Sequence, residues 1–257
     1  MTFFSIEDAT VTYRGLRAVS SVSLTVGQGR IHGLIGPNGA GKTSLLNAVS
    51  GLVPLAAGRI LLHGRELQDL PAHRVAAAGI GRTFQHAEIF PDCTVLENVM
   101  AGGYARRRSN VLDDALGTRR KNTAERELRR EAEELLATFG ILGVRDATAG
   151  ELPFGTLKKI DLVRALMARP RVLMLDEPTS GMNNVEAQEV IAACRLIAGE
   201  SGVTLLIIEH NMRVIMDLAE TIHVLDHGEK IAEGSPAEVQ KNAFVIEAYL
   251  GRSAVHA

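Results

Sequence analysis

The first part of the chain alternates apolar and polar residues in the manner of half-buried β-strands. This period-two pattern runs over residues 6–13 and returns over 22–26, with a glycine-containing turn at 27–29 after the second run. Alternating runs separated by turn residues favour antiparallel pairing, so we expect an antiparallel β unit here. A short apolar strand at 30–36 follows and leads through a glycine-rich loop into a predicted helix over 42–50.

Two later apolar runs are continuous rather than alternating. They cover 172–175 and 203–208, and a sequence of helical character at 185–200 lies between them. Continuous apolar strands are typical of a parallel sheet covered on both faces, and the strand–helix–strand order predicts a βαβ unit. A hairpin is expected over 221–232, with its turn at 226–228.

A helical segment separates the two halves of this α/β core. From about residue 94 to 148 the apolar residues recur at helical spacing, and charges of both signs are dense, most clearly over 125–136. We therefore predict a single domain over 1–257 that contains a helical insertion at 94–150.

The composition narrows the class of protein. The 257 residues carry 28 Lys and Arg against 30 Asp and Glu, a formal net charge of −2 that gives no support for a nucleic-acid partner. Two cysteines do not make a disulfide scaffold, and no apolar run is long enough to span a bilayer. Since no signal-peptide pattern is visible either, we expect a globular protein of the cytosol without a transmembrane segment.

The strongest chemical signal is the loop that follows the strand at 30–36. Residues 36–43 fit the pattern G-x-x-x-x-G-K-[ST] at every fixed position. Its glycines let successive backbone N–H groups converge on phosphate oxygens at a helix N-terminus, whose dipole favours the same charge. Lys42 would bridge the β- and γ-phosphates, and the Thr43 hydroxyl would bind Mg²⁺. We predict nucleotide contacts from Gly36, Pro37, Asn38, Gly39, Ala40, Gly41, Lys42, Thr43 and Ser44.

Two adjacent carboxylates end the apolar run at 172–175. Asp176 stands at the end of the predicted strand, where it can reach the magnesium ion through a water molecule. Glu177 is then placed to polarise a water in line with the γ-phosphate, as a general base. Paired acids after a strand are often ordinary polar loop residues, but the phosphate loop upstream favours the catalytic interpretation.

The order of these motifs resembles the nucleotide-binding domain of ABC transporters over nearly the whole chain. Gln85 resembles the family's glutamine that senses magnesium and the attacking water, and His210 resembles the switch histidine that contacts the γ-phosphate. Tyr13 is similar to the aromatic residue that stacks on adenine, and residues 180–183 fall where a dimer-contacting loop belongs.

The resemblance implies an α/β fold with a P-loop NTPase core: a parallel central sheet, an N-terminal antiparallel β subdomain and a helical insertion subdomain. It implies ATP and Mg²⁺ as cofactors, catalytic roles for Glu177, His210 and Gln85, and magnesium contacts from Thr43, Gln85 and Asp176.

The family signature Leu-Ser-Gly-Gly-Gln is degenerate in this chain. Pro153, Phe154 and Thr156 replace its Ser, its first Gly and its Gln. In the family this segment begins a helix whose N-terminus faces the γ-phosphate bound by the opposing subunit. Gly155 and a helix over 157–169 could still supply that dipole, with weaker transition-state stabilisation because a hydroxyl contact is lost.

Within the family the chain is most similar to the LivG-type ATPases of branched-chain amino-acid importers. The shared features include Gly81-Arg82-Thr83-Phe84-Gln85 and Ile208-Glu209-His210-Asn211-Met212. The similarity implies an ATPase at the cytoplasmic face of the cell membrane, in a head-to-tail dimer with a second ABC ATPase subunit. Its further partners would be two transmembrane permeases and, indirectly, an external solute-binding protein. The transported solute would be a branched-chain amino acid or a related small polar or hydrophobic amino-acid-like solute.

Other functions either fit the sequence less well or stay open as alternatives. A GTPase would need an Asn-Lys-x-Asp motif, which is absent from the sequence, and a small-molecule kinase gives no reason for the ordered Gln85, Gly155 and His210. ABC ATPases of DNA repair or translation usually carry two ATP-binding cores or long coiled coils, whereas this chain has a single phosphate loop. The ATPase of another ABC system, such as a urea or amide importer or a lipid or polysaccharide exporter, stays open as an alternative.

Overall fold

Two β-sheets form the framework of the protein, as seen in a computed structural model that describes residues 3–85, 87–106 and 119–250. The strands are β1 (Phe4–Tyr13), β2 (Leu16–Val26), β3 (Ile31–Ile35), β4 (Ala57–Leu62), β5 (Arg65–Glu66), β6 (Ile80–Arg82), β7 (Val172–Asp176), β8 (Thr204–Ile208), β9 (Thr221–Asp226) and β10 (Glu229–Gly234).

The smaller sheet is antiparallel and has the strand order β2-β1-β4-β5. The first two strands form a long hairpin in which Phe4 pairs with Val26 and Tyr13 with Leu16. This confirms the antiparallel N-terminal unit predicted from the alternating pattern. The short strands β4 and β5 were not predicted, because neither carries a clear period-two alternation of its own.

The larger sheet has the order β10-β9-β3-β8-β7-β6 and is parallel except for its edge strand β10. The predicted parallel pair β7 and β8 lies in the interior of this sheet, with Asp176 opposite Ile208. The predicted hairpin joins β9 to β10, and its turn residues His227 and Gly228 have φ values of 45° and 83°. The α/β fold class is therefore confirmed.

Helices cover the larger sheet. They are α1 (Lys42–Val49), α2 (Ala72–Ala78), α3 (Val95–Gly103), α4 (Arg119–Thr138), α5 (Phe154–Met167), α6 (Asn184–Ser201), α7 (Met212–Leu218), α8 (Pro236–Gln240) and α9 (Ala243–Leu250), with short 3₁₀ turns at Tyr104–Arg106, Leu142–Val144 and Ala149–Glu151. None of the helices in the described ranges is both long and apolar enough to cross a membrane.

The two faces of the larger sheet bury two different hydrophobic cores. In β7, Leu173 and Leu175 point into the core shared with helices α3 to α7, whereas Val172 and Met174 point into the core shared with α1 and the smaller sheet. This alternation follows from the period of two in a strand. Both faces are buried, which explains why the sequence of β7 is continuously apolar.

The predicted insertion at 94–150 contains α3 and α4, and its residues 107–118 lie outside the described part of the chain. Its start is well defined, because the Thr94 side chain caps α3 in a reciprocal capping box with Glu97. An isolated antiparallel bridge between Thr94 and Thr148 brings the two ends of the segment together. The insertion therefore leaves and rejoins the core at neighbouring points.

Candidate nucleotide-binding site

The glycine-rich loop lies between β3 and α1, as the sequence predicts. Gly36 and Gly41 have φ values of 151° and 96°. A Cβ atom at Gly36 would lie 2.0 Å from the carbonyl oxygen of Leu225, and one at Gly41 would lie 2.4 Å from that of Ala18. Only glycine fits at these two positions, because the loop passes directly against neighbouring backbone.

Lys42 is held inside the curve of this loop. Its Nζ donates hydrogen bonds to the carbonyl oxygens of Gly36 at 2.7 Å and Pro37 at 2.9 Å. Burial lowers the pKa of the Lys42 ammonium, and the negative charges of Glu177 and Asp176 act in the opposite direction. The loop therefore presents a buried cation where the sequence predicts phosphate binding.

Glu177 is the centre of a cluster of three side chains. Its Oε1 lies 2.6 Å from Nε2 of His210, and its Oε2 accepts a hydrogen bond from Nε2 of Gln85 at 3.2 Å. The three residues come from the loops after β7, β8 and β6, which are neighbouring parallel strands. Since parallel strands place their carboxyl ends at one edge of a sheet, the fold itself brings these distant residues together.

A cavity of about 360 Å³ joins this cluster to the loop. It is lined by Ala18, Asn38, Gly39, Ala40, Gly41, Lys42, Thr43, Ser44, Gln85, Glu177 and His210. Most of the predicted site residues thus share one cavity. Gly36 and Pro37 lie outside its lining and contribute the carbonyl oxygens that hold Lys42.

The donor set near the loop suits Mg²⁺. Thr43 offers a hydroxyl, Gln85 an amide oxygen and Asp176 a carboxylate, all hard oxygen ligands. Mg²⁺ keeps several waters and binds mainly to substrate phosphates, so it does not need a dense cluster of protein ligands. Accordingly, no group of three or more His, Cys, Asp or Glu side chains that could hold a metal occurs within the described ranges.

Tyr13 and Gly155 do not line the cavity. Tyr13 ends β1 next to the hairpin turn, with 39% of its surface exposed. Gly155 lies buried in the first turn of α5, where a Cβ atom would be 2.8 Å from Oε1 of Glu186. Their predicted contacts, with adenine and with the nucleotide of a second subunit, stay predictions.

The degenerate signature packs against the loop at 180–183. Pro153 is the N-cap residue of α5 and provides no side-chain cap. The ring of the following residue, Phe154, packs closely against Gly181. A Cβ atom built on Gly181 would lie 3.2 Å from Cε1 of that ring. The phenylalanine that replaces a signature glycine therefore contacts the predicted dimer loop of its own chain.

A family model described as "ABC transporter" matches residues 19–180, well over half of the chain. The chain belongs to the ABC transporter family. A second model, described as "Branched-chain amino acid ATP-binding cassette transporter", matches residues 229–255 of the cassette. The resemblance found in the sequence is thus confirmed, and this ABC cassette is an ATPase.

Curated relatives and solved structures cover almost the entire cassette. It is 35% identical to the high-affinity branched-chain amino acid transport ATP-binding protein BraF of Pseudomonas aeruginosa, over 96% of this chain and 97% of BraF. The LivG protein of Escherichia coli K12 is 33% identical, over 97% of this chain and 98% of LivG. The lipopolysaccharide export ATP-binding protein LptB of the same organism is 35% identical, over 98% of each chain.

The fold agrees closely with a nucleotide-free ATP-binding cassette from an ABC transporter. That crystal structure superposes with a TM-score of 0.85 at 27% identity, over 98% of this chain and all of that one.

Three residues at this site had no role in the sequence analysis. Glu209 is buried and accepts hydrogen bonds from Oγ1 of Thr179 at 2.7 Å and from the backbone N–H of His210 at 3.0 Å. Lys158 donates to the backbone oxygen of Gln85, and Arg82 forms an ion pair with Asp176. Arg82 and Glu209 lie inside quoted motifs and Lys158 follows the degenerate signature, but each has a side-chain or backbone partner that is remote in sequence and comes close only in the fold.

Proposed function

We propose that the cassette binds ATP with Mg²⁺ in the cavity beside the loop and hydrolyses it there. Glu177 accepts the proton of the attacking water, His210 holds Glu177 and the γ-phosphate, and Gln85 orients the water. The contacts of Glu177 with His210 at 2.6 Å and with Gln85 at 3.2 Å carry this proposal, because they place a base between two polar groups at the cavity.

The remaining site residues bind and orient the nucleotide. Lys42 and the backbone N–H groups of the loop hold the β- and γ-phosphates. Mg²⁺, held by Thr43, Gln85 and Asp176, would spread the charge that develops on the phosphates. The N-terminal hairpin carries Tyr13, which we propose as the residue that stacks on adenine.

We further propose that two cassettes close head to tail on two ATP molecules, at the cytoplasmic face of the membrane. The N-terminus of α5 with Gly155 would then face the γ-phosphate of the partner. The partner is an identical or related ABC ATPase, and the helical insertion transmits closure to two transmembrane permeases. An external solute-binding protein acts through those permeases, and nucleic acid has no part in the assembly.

The transported solutes that we propose are branched-chain amino acids or related small molecules. The match of residues 229–255 to the model of branched-chain amino acid cassettes carries this choice, together with the similarity to BraF and LivG, which are branched-chain amino acid transport ATP-binding proteins. Lipopolysaccharide export is the second candidate, because LptB of Escherichia coli K12 is also 35% identical to this cassette, although it is a weaker match than BraF.

Purification of the tagged cassette from native membranes, with mass spectrometry of the bound proteins, tests this choice. We expect two multi-spanning permeases and a second ATPase, encoded next to a gene for an external solute-binding protein. The Lys42→Ala variant serves as a control for ATP-dependent contacts. Recovery of lipopolysaccharide-export membrane proteins would favour the second candidate, and recovery of soluble partners alone would contradict a role in transport.

A further inference from the structure

A buried ion pair lies beside the predicted magnesium site. Arg82, the last residue of β6, donates from Nη2 to Oδ2 of Asp176 at 2.9 Å, and the two side chains are only 6% and 8% exposed. From the other side of the guanidinium, Nη1 donates to Oδ1 of Asn47 at 2.7 Å and to Oγ of Ser50 at 3.4 Å. The Phe84 ring stacks on it, with its centroid 4.8 Å from Cζ.

These contacts join the three elements that carry the proposed magnesium ligands. Asn47 lies four residues after Thr43 in α1, so both stand on the same face of that helix, one turn apart. Gln85 follows three residues after Arg82, and Asp176 ends β7. A single guanidinium group therefore connects α1, the loop after β6 and the end of β7.

The Asp176 carboxylate has other cations near it. Its charge raises the pKa values of both Lys42 and Lys158, opposing the larger effect of burial on each. A carboxylate among several cations needs a fixed partner to keep one orientation. The planar guanidinium can bind Asp176 and Asn47 at the same time in a rigid geometry, which a lysine ammonium cannot reproduce.

We propose that Arg82 is a positioning residue for the magnesium site. It holds Oδ2 of Asp176, which would leave Oδ1 available to a water bound to Mg²⁺, and it ties this carboxylate to the elements that carry Thr43 and Gln85. The inference rests on the proposed role of Asp176 at Mg²⁺ in the preceding subsection.

A positioning role and a purely structural ion pair predict opposite effects on Mg²⁺ binding. If Arg82 only compensated the charge of Asp176, its removal would eliminate a competing cation, and the site would bind Mg²⁺ more tightly. If Arg82 orients the carboxylate, its removal weakens Mg²⁺ binding, as loss of an outer-shell partner does in other metal sites. The sign of the change therefore separates the two roles.

Binding of the fluorescent analogue mant-ATP to the full chain measures this sign. All variants carry Glu177→Gln so that the nucleotide is not consumed, and each is titrated first in EDTA and then with increasing Mg²⁺. For Arg82→Met we expect the affinity for mant-ATP in EDTA to stay within about twofold of the parent. The Mg²⁺ requirement, meaning the Mg²⁺ concentration that produces half of the change in mant-ATP binding, should be about tenfold higher or more. Arg82→Lys should fall between the two.

Two further variants support the measurement. Asn47→Ala removes the other end of the guanidinium bridge and should shift the Mg²⁺ requirement in the same direction by a smaller factor. Arg59→Met removes an arginine from an exposed ion pair with Glu7, at 2.6 Å, and should change neither titration.

An unchanged or lower Mg²⁺ requirement in folded Arg82→Met would overturn the inference. If that variant does not fold, Asn47→Ala serves as the test instead. An unchanged Mg²⁺ requirement in Asn47→Ala would likewise overturn the inference. Asp176→Asn, in the same assay, separates this inference from the proposed function. A higher requirement in Asp176→Asn but not in Arg82→Met refutes the positioning role alone. No shift in Asp176→Asn refutes the magnesium role of Asp176, and the inference with it.

Discussion

Glu177 combines an unusual backbone conformation with the central position in the cluster that it forms with His210 and Gln85. Its φ of 50° lies in the left-handed region, which costs a non-glycine residue on the order of 1 kcal/mol. The Glu177 N–H donates to the carbonyl oxygen of Ile208 at 2.9 Å, which fixes this conformation against β8. The strain is placed where it turns the carboxylate toward His210 and Gln85.

A second set of ionisable residues lies on the neighbouring strands β3, β9 and β10. The backbone N–H of Gly27 donates to Nε2 of His32 at 2.9 Å, which places the proton of His32 on Nδ1. Nδ1 of His32 faces Nε2 of His223 at 3.2 Å, so His223 in turn carries its proton on Nδ1, 3.4 Å from Oε2 of Glu233. Both imidazoles are neutral in this arrangement.

This pair predicts a loss of stability in acid. Burial, and next repulsion from His223 in its protonated form, lowers the pKa of His32 to about 4, with a smaller opposing effect of Glu233 and a smaller reinforcing one of Arg30. Burial also lowers the pKa of His223, opposed by Glu233 and reinforced by Lys230. The unfolded chain binds protons near pH 6.5, where the native imidazole does not, so stability present above pH 6.5 is lost as the pH falls toward 4.

Chemical denaturation at several pH values measures this effect. For His32 alone, the free energy of unfolding should fall by about 2 kcal/mol between pH 7 and pH 5. His32→Gln keeps an acceptor for Gly27 and a donor for His223 but does not titrate, so its free energy of unfolding should depend less steeply on pH. Substitution of the exposed His73 by Gln is the matched control, and we expect it to leave the pH dependence of the parent unchanged. Equal slopes in His32→Gln and the parent would contradict the prediction.

At the scale of elements, helix α5 carries the clearest departure from its family. Its N-cap residue Pro153 offers no side-chain acceptor to the first turn. If the N-terminus of α5 faces the partner's nucleotide, the residue at position 153 affects both helix stability and catalysis. Two substitutions separate these effects.

Pro153→Ser and Pro153→Asp should both stabilise the protein, because either side chain caps the helix, worth about 1 kcal/mol. Their effects on steady-state ATP turnover should differ. Ser adds a neutral donor and should raise turnover about fivefold, the equivalent of one hydrogen bond, whereas Asp places a negative charge near phosphate and should lower it. Higher thermal stability with unchanged turnover in both variants would show that this helix end does not reach a nucleotide.

The elements that the sequence predicts well are those with local signals. The loop before α1 is defined by its own glycines, and β7 and β8 by their continuous apolar runs. The pair Arg82–Asp176 spans 94 residues and the contact of Lys158 with Gln85 spans 73. Both depend on the strand order β3-β8-β7-β6, which no local pattern specifies. The resemblance to a family supplied Gln85 and His210, whereas Arg82 lay inside a quoted motif without a role.

In the molecule as a whole, each of the two hydrophobic cores supports a different functional part of the cassette. The core shared by α1 and the smaller sheet supports the phosphate loop, and the core shared by α3 to α7 supports the insertion and the signature helix. The Lys158 ammonium on α5 donates a hydrogen bond to the backbone carbonyl oxygen of Gln85, in the loop after β6. A change at the γ-phosphate can therefore reach the proposed permease-facing helices through one loop.

We propose that hydrolysis at Glu177 drives uptake of a branched-chain amino acid. Uptake of radiolabelled leucine tests it, in source cells that lack the chromosomal gene and carry wild-type, Glu177→Gln or Glu7→Gln protein. We expect wild type and the exposed control Glu7→Gln to restore uptake. Glu177→Gln should reduce it at least about 100-fold, the contribution of a general base. Full uptake in Glu177→Gln, or in cells without the gene, would contradict the account.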